Sequence, residues 1–304
     1  MTARLRVLSP LAALALAGCG GSGPVDAGPP TDVRLDQANQ AGTQALTMDM
    51  PSIAVRQYKV ALSRAYERDD AGAIADVSYN LALAQMKAGD AKAALVTVRE
   101  ARSDLDRRRA PVPAELFLVQ AAAAYRSGDL LGASAAAQEA LGRTAKDPDT
   151  VPRAWFIRGL VAAERGDGGG LAQAIAALPP SKQADLLADR QELQGRAALL
   201  ANQLVEALAL FEQSAAGRQQ ALDYRGMARA LALAGDAALR SNHAAEAADL
   251  FLRAGRSALL QGDSATALPL LKRAEDLARQ TAQPGIVEEV ARLRKVAAER
   301  ATKA

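Results

Sequence analysis

The chain has one cysteine and one histidine among its 304 residues, and only 3% of it is aromatic. One cysteine excludes an internal disulfide framework. The lone histidine, His243, follows Asn242 in a polar turn, and with so few nitrogen and sulfur ligands no metal site is expected. Nucleophilic catalysis would have to rely on that same His243, and no G-x-S-x-G elbow accompanies it. There is no apolar run of the roughly 20 residues that a membrane-crossing helix needs, and no stretch alternates apolar and polar residues over a strand's length. Gly166 to Gly170 (GDGGG) lacks the G-K-[ST] ending of a phosphate-binding loop and follows no strand, so it reads as a loosened turn. Asp69-Asp70 and Arg107-Arg108-Arg109 read as solvated loop ends. A net charge of +3, from 37 basic and 34 acidic residues, is too small to argue for a nucleic-acid partner.

What is present begins with Arg4 and Arg6, an apolar run from Val7 to Leu16 broken only by Ser9 and Pro10, and small residues up to Cys19. That order is a bacterial export signal. Leu16-Ala17-Gly18-Cys19 resembles the lipobox of bacterial lipoproteins. The resemblance implies a diacylglycerol on the Cys19 thiol, cleavage of residues 1–18 and acylation of the new amino group. Two or more acyl chains anchor stably, whereas one does so only marginally. Cleavage would remove Arg4 and Arg6 and no acidic residue, leaving 35 basic against 34 acidic, a charge of +1. Gly20, rather than aspartate, would stand second in the mature chain, and by resemblance to the known sorting rule this implies the periplasmic face of the outer membrane. Residues 20–31 (GGSGPVDAGPPT) are glycine, proline and small polar residues, expected to form a tether reaching about 20 Å.

Beyond Thr31 the composition is that of helices: alanine, leucine, arginine, glutamine and glutamate dominate. So much alanine requires helices to approach closely. Small residues recur 12 apart, at Gly42 and Ala54, Ala82 and Ala94, Ala121 and Ala133, Gly195 and Ala207, Gly235 and Ala247, and Gly255 and Ala267, with Gly159 and Leu171 as a weaker pair. Turns such as KAGD (Lys87 to Asp90), RSGD (Arg126 to Asp129) and LQGD (Leu260 to Asp263) lie between members of a pair. Glycine ends one helix in a left-handed conformation, aspartate caps the next, and the small residues let the two cross tightly.

This pattern resembles tetratricopeptide repeats, and Tyr79 to Ala101 fits the 34-residue unit best, with Ala82, Ala94 and Ala101 at its small positions. The resemblance covers residues 32–280. It implies an all-α, right-handed superhelical solenoid of about seven repeats over 32–283, ended by a capping helix at 284–304 with Ile286, Val287, Val290, Leu293 and Val296 on its apolar face. Successive repeats are spaced 36 to 40 residues, except for a final step of 20, rather than 34. Extended inter-repeat loops such as RRRAPVP (Arg107 to Pro113) and KDPDTVP (Lys146 to Pro152) are expected to take up the excess. The final step of 20 implies that Ala244 to Leu260 serves two hairpins.

In that family the first helix of each repeat lines a concave groove. Carried over by register, the groove comprises Tyr79, Asn80, Leu83, Met86, Lys87, Tyr125, Arg126, Arg153 and Phe156, with Asp76, Glu115, Leu118, Ile157 and Leu160 beside them. Aromatic and methionine surface interspersed with Lys and Arg suits a protein-binding hot spot. The resemblance therefore implies a non-enzymatic, lipid-anchored scaffold. It would bind a protein or peptide of the cell envelope, with assembly of a pilus or secretion system as the first reading. No cofactor is implied beyond the lipid on Cys19, and no metal or nucleic acid. Two other classes stand beside it: a small-ligand or peptide-binding lipoprotein, which would show a closed apolar pocket in place of an open channel, and a peptidoglycan-associated enzyme or its adaptor, which would need a groove carboxylate with a raised pKa.

Overall fold

A computed structural model describes residues 32–143, 150–178 and 180–301. The signal segment, Cys19, the tether and most of the Lys146 to Pro152 loop lie outside the described residues. The described chain holds helices α1 (Val33–Thr47), α2 (Pro51–Glu67), α3 (Ala71–Lys87), α4 (Ala91–Arg107), α5 (Ala114–Arg126), α6 (Leu130–Arg143) and α7 (Thr150–Glu164). It continues with α8 (Gly168–Ala177), α9 (Ala184–Leu200), α10 (Leu204–Gln220), α11 (Tyr224–Arg240), α12 (Ala244–Leu260), α13 (Ser264–Gln280) and α14 (Pro284–Ala301). No strand occurs among the described residues. Each helix packs on its neighbours in sequence, and α3 also touches α5, α5 touches α7, and α7 touches α9. The result is an all-α solenoid of hairpins in which the odd-numbered helices α3 to α9 form one inner layer, and towards the end α14 packs on α12 as well as α13.

The longer repeat has a different origin from the one expected. Eight of the helices run 17 residues, and most connections are three residues long. Left-handed residues fall at Asp49, Asp69, Gly89 and Arg109, each 20 after the last, and again at Asn202, Leu222, Asn242, Gly262 and Ala282. The excess over 34 is thus helix where 17-residue helices follow one another, whereas the Arg108 to Pro113 and Leu178 to Gln183 connections, six residues each, do form longer loops. Each short turn closes in the same way. After α2 the Asp70 N–H bonds the Ala65 carbonyl (3.1 Å), while that of Asp69 bonds Tyr66 (3.0 Å), which satisfies two otherwise unpaired carbonyls. Asp70 then caps α3, its carboxylate accepting from the Ala73 N–H at 3.0 Å. Asp90, Asp167, Asp223 and Asp263 cap α4, α8, α11 and α13 similarly, each cap contributing about 1 kcal/mol. His243 sits at the exposed start of α12 and makes no side-chain cap.

The small residues at 12-residue spacing are where paired helices cross. A Cβ on Gly195 would lie 2.7 Å from Phe211 Cε1, and one on Gly235 would lie 2.8 Å from Phe251 Cε1. Gly42 receives the Tyr58 ring in the same manner. Each ring stands 16 residues beyond its glycine and is almost wholly buried. Alanines fill the remaining crossings, and the core is a thin seam made of four apolar clusters along the solenoid. α12 serves two hairpins: Gly235 of α11 abuts Phe251 of α12, and Gly255 of α12 abuts Leu271 of α13. α14 packs on α12 and α13 through buried Val290 and partly buried Ile286, Val287 and Leu293, whereas Val296 is exposed.

The charge runs are not merely solvated loop ends. Arg108 pairs with the Asp69 carboxylate and, at 2.6 Å, with buried Asp104, tying the turn after α2 to the end of α4.

Candidate functional site

The inner helices line a partly open cavity of about 570 Å³. From α3 come Tyr79, Leu83, Met86 and Lys87, from α5 Leu118, Tyr125 and Arg126, and from α7 Arg153, Phe156, Ile157 and Leu160. The i, i+3/i+4, i+7 spacing of these residues places each set on one helical stripe. All but one of the residues read from register as the core of the groove therefore meet at one place. Asn80 lies apart, its Nδ2 donating to Asn39 Oδ1 at 3.4 Å. Asp76 and Glu115 are also outside the lining. Met86 is only 7% exposed and serves as wall.

The cavity has a fourth side that the sequence did not indicate. Asp223, Arg225 and Arg229, around the start of α11, also line it, and Leu46 of α1 closes one end. Arg225 Nη1 donates to the Met86 carbonyl at 3.4 Å, across 139 residues of sequence, and Arg126 Nη1 donates to the same carbonyl at 3.2 Å. The concave face is thus bounded on a fourth side while remaining partly open to solvent, between the open channel and the closed pocket that the two readings expected. Two further clefts share Arg225 with it, one running towards α13 and one towards the turn after α1.

Charge is distributed unevenly around this space. Lys87, Arg126, Arg153, Arg225 and Arg229 face Asp223 alone, and Asp223 is held by Arg218 at 2.8 Å. Burial, then the charges of Arg229 and Arg225, push the Arg126 guanidinium below its ordinary value. Burial pushes the Tyr79 and Tyr125 hydroxyls up. Tyr125 also donates to Glu164 at 3.2 Å.

Behind the α7 and α11 walls lies a buried ion cluster centred on Glu192 of α9, which is 0% exposed. Glu192 accepts from Arg229 Nε (3.0 Å) and Nη2 (2.8 Å), from Arg218 Nη2 (2.7 Å) and from Arg196 Nη2 (3.4 Å). Burial alone would raise its pKa, but the charges and hydrogen bonds of these arginines hold it at about 2. The same interactions raise that of Arg229. Arg218 also binds Asp189 at 2.9 Å, yet burial dominates there and pushes the Asp189 carboxyl up to about 6. The guanidiniums of Arg218 and Arg229 lie over the Phe156 ring, 5.5 and 5.9 Å from its centroid. The cluster thus fixes an aromatic wall and one cationic wall of the cavity together. Nothing in the sequence singled it out, because charged residues on helices ordinarily face solvent.

The arrangement is suited to binding. Among the described residues Asp223 is the one carboxylate lining the cavity, and it is ion-paired with Arg218. Among the described residues no group of three side chains is placed to hold a metal ion, and no helix is long and apolar enough to cross a membrane.

No family model matches the chain, and no curated protein matches it. Among solved structures, a tetratricopeptide repeat protein from Parabacteroides merdae is similar at 14% identity and a TM-score of 0.49, over 85% of this chain and 99% of that one. The TPR2AB domain of yeast Sti1, in a complex with pHSP90, is similar at 16% identity and a TM-score of 0.35, over 85% and 96%. BtubC from P. vanneervenii is similar at 16% identity and a TM-score of 0.43, over 83% and 93%.

Proposed function

We propose that the protein is a lipid-anchored scaffold of the bacterial envelope, held at the periplasmic face of the outer membrane through Cys19 and presenting its inner helices to a protein partner. Assembly of a pilus or secretion system is the first reading of the process served. The observation that carries the binding role is the convergence of Tyr79, Leu83, Lys87, Tyr125, Arg126 and Phe156, from three successive inner helices, on one cavity backed by a buried ion cluster. A preformed surface of this kind lowers the ordering cost of association. Location rests on the lipobox-like Leu16 to Cys19 and on Gly20.

The test is photocrosslinking in the protein's own cells from positions 83 and 156. Adducts to one envelope protein are expected, with capture lost on combining Lys87→Glu with Arg126→Glu and the melting temperature unchanged. Adducts to glycan alone would refute the scaffold. A second reading, a small-ligand or peptide-binding lipoprotein, is favoured by one specific observation, the half-enclosed and largely apolar space that Arg225 and Met86 bound on one side.

A further inference from the structure

The cationic side of the cavity is not neutralised from within. Lys87 makes no hydrogen bond or ion pair with any described residue, and Arg126 and Arg225 both donate to one neutral acceptor, the Met86 carbonyl. Arg229 is satisfied by Glu192, and Asp223 is occupied by Arg218. Two guanidiniums sharing one carbonyl keep unused donors, which an anion entering the cavity would satisfy with charge-assisted hydrogen bonds.

The opposite side is apolar: Leu83, Leu118, Phe156, Ile157 and Leu160. Apart from two tyrosine hydroxyls, the polar side chains lining the cavity are donors, with Asp223 already engaged. An extended peptide inserted wholly into the cavity would bring a backbone N–H at each residue and find few side-chain acceptors in this lining, a cost that a protein partner resting at the open side, with its backbone in water, does not meet. The asparagine that could have bonded such a backbone, Asn80, stands outside the cavity. A ligand with an acidic head and a tail free of amide donors would satisfy the guanidiniums and escape that cost. A space of about 570 Å³ is also within the range of small-molecule sites.

We infer that the cavity binds a single-chain anionic amphiphile, its head between Lys87, Arg126 and Arg225 and its tail against Leu83, Phe156 and Leu160. The inference rests on the small-ligand reading of the cavity and gives that reading its ligand class.

The test uses the full-length protein in membranes from its own cells, exposed to a photoreactive long-chain carboxylic acid, the matching monoacyl phosphate and the matching alcohol. The acid or the phosphate is expected to label residues of α3, α5 and α7, and the stronger of the two names the head group. The alcohol should label about tenfold less because it forgoes the charge-assisted hydrogen bonds, although it partitions more readily into apolar surroundings. Arg126→Gln combined with Arg225→Gln should abolish the difference between acid and alcohol. Lys87→Gln, a change at an unpartnered side chain, should reduce it if the double variant fails to fold. Equal labelling by acid, phosphate and alcohol would overturn recognition of the charge while leaving a small-ligand cavity. No labelling of the cavity by any of them would overturn both. Displacement of the acid by a leucine-rich acidic peptide that itself labels the cavity more strongly would overturn the amphiphile in favour of a peptide.

Discussion

Replacing Glu192 with glutamine probes the support of the cavity. The carboxylate is 0% exposed and is the only ion-pair partner of Arg229 among the described residues, while Arg196 keeps Glu164 and Arg218 keeps Asp189 and Asp223. Removing one member of a buried ion pair costs about 3–5 kcal/mol because the other charge is left uncompensated. Arg229 is 34% exposed, so water recovers part of that cost and the lower bound, roughly 3 kcal/mol, is the better expectation. At about 2–4 °C per kcal/mol for a chain of this size, the melting temperature should fall by roughly 6–12 °C in far-ultraviolet circular dichroism. The double variant Glu192→Leu with Arg229→Leu should recover much of the loss, since an apolar pair of similar volume needs no desolvation of charge. A Glu192→Gln protein melting within about 2 °C of the parent would refute the reasoning, because a charge that cheap to remove does not hold the walls.

Two carboxylates of the cluster give the stability a definite pH dependence. Asp189, raised to about 6 from 3.8 by burial, favours folding when protonated, so the melting temperature should rise as pH falls from 7 to about 5, and Asp189→Asn should remove that rise. Glu192, lowered to about 2 from 4.5, contributes stability above about pH 4.5 that is lost as pH drops towards 2, so thermal scans should show a decline below about pH 4. Gly195→Ala would place its Cβ 2.7 Å from the Phe211 ring and should cost about 1–3 kcal/mol, read as a lower denaturant midpoint with an unchanged slope. Cys19→Ser should leave an uncleaved or soluble chain; if that variant still fractionates with outer membranes, the lipid anchor is not what holds the protein there.

The hairpins were legible in the sequence because their determinants are local: small residues 12 apart, and an aspartate following each Gly turn. The groove stripe on α3, α5 and α7 was legible for the same reason, since one register carried along the chain puts Tyr79, Tyr125 and Phe156 on inner faces. Two features were not. The turns at Asp49, Arg109, Leu222 and Ala282 use left-handed residues other than glycine, which carry no compositional mark, so the 20-residue period was hidden and the excess length was assigned to loops. The approach of Arg225 to Met86, and the gathering of Arg196, Arg218 and Arg229 on Glu192, depend on the curvature accumulated over several hairpins, which no single repeat encodes.

The regular turn has a consequence for how such a chain can change length. Where consecutive helices share one 20-residue unit, inner and outer are decided by counting from a neighbour rather than by anything intrinsic to the connection. Deleting one unit would flip every later helix across the wall and expose the residues that now face the cavity. Deleting two restores the alternation. Viable descendants should therefore differ by even numbers of units, a parity rule written into the backbone rather than into any side chain.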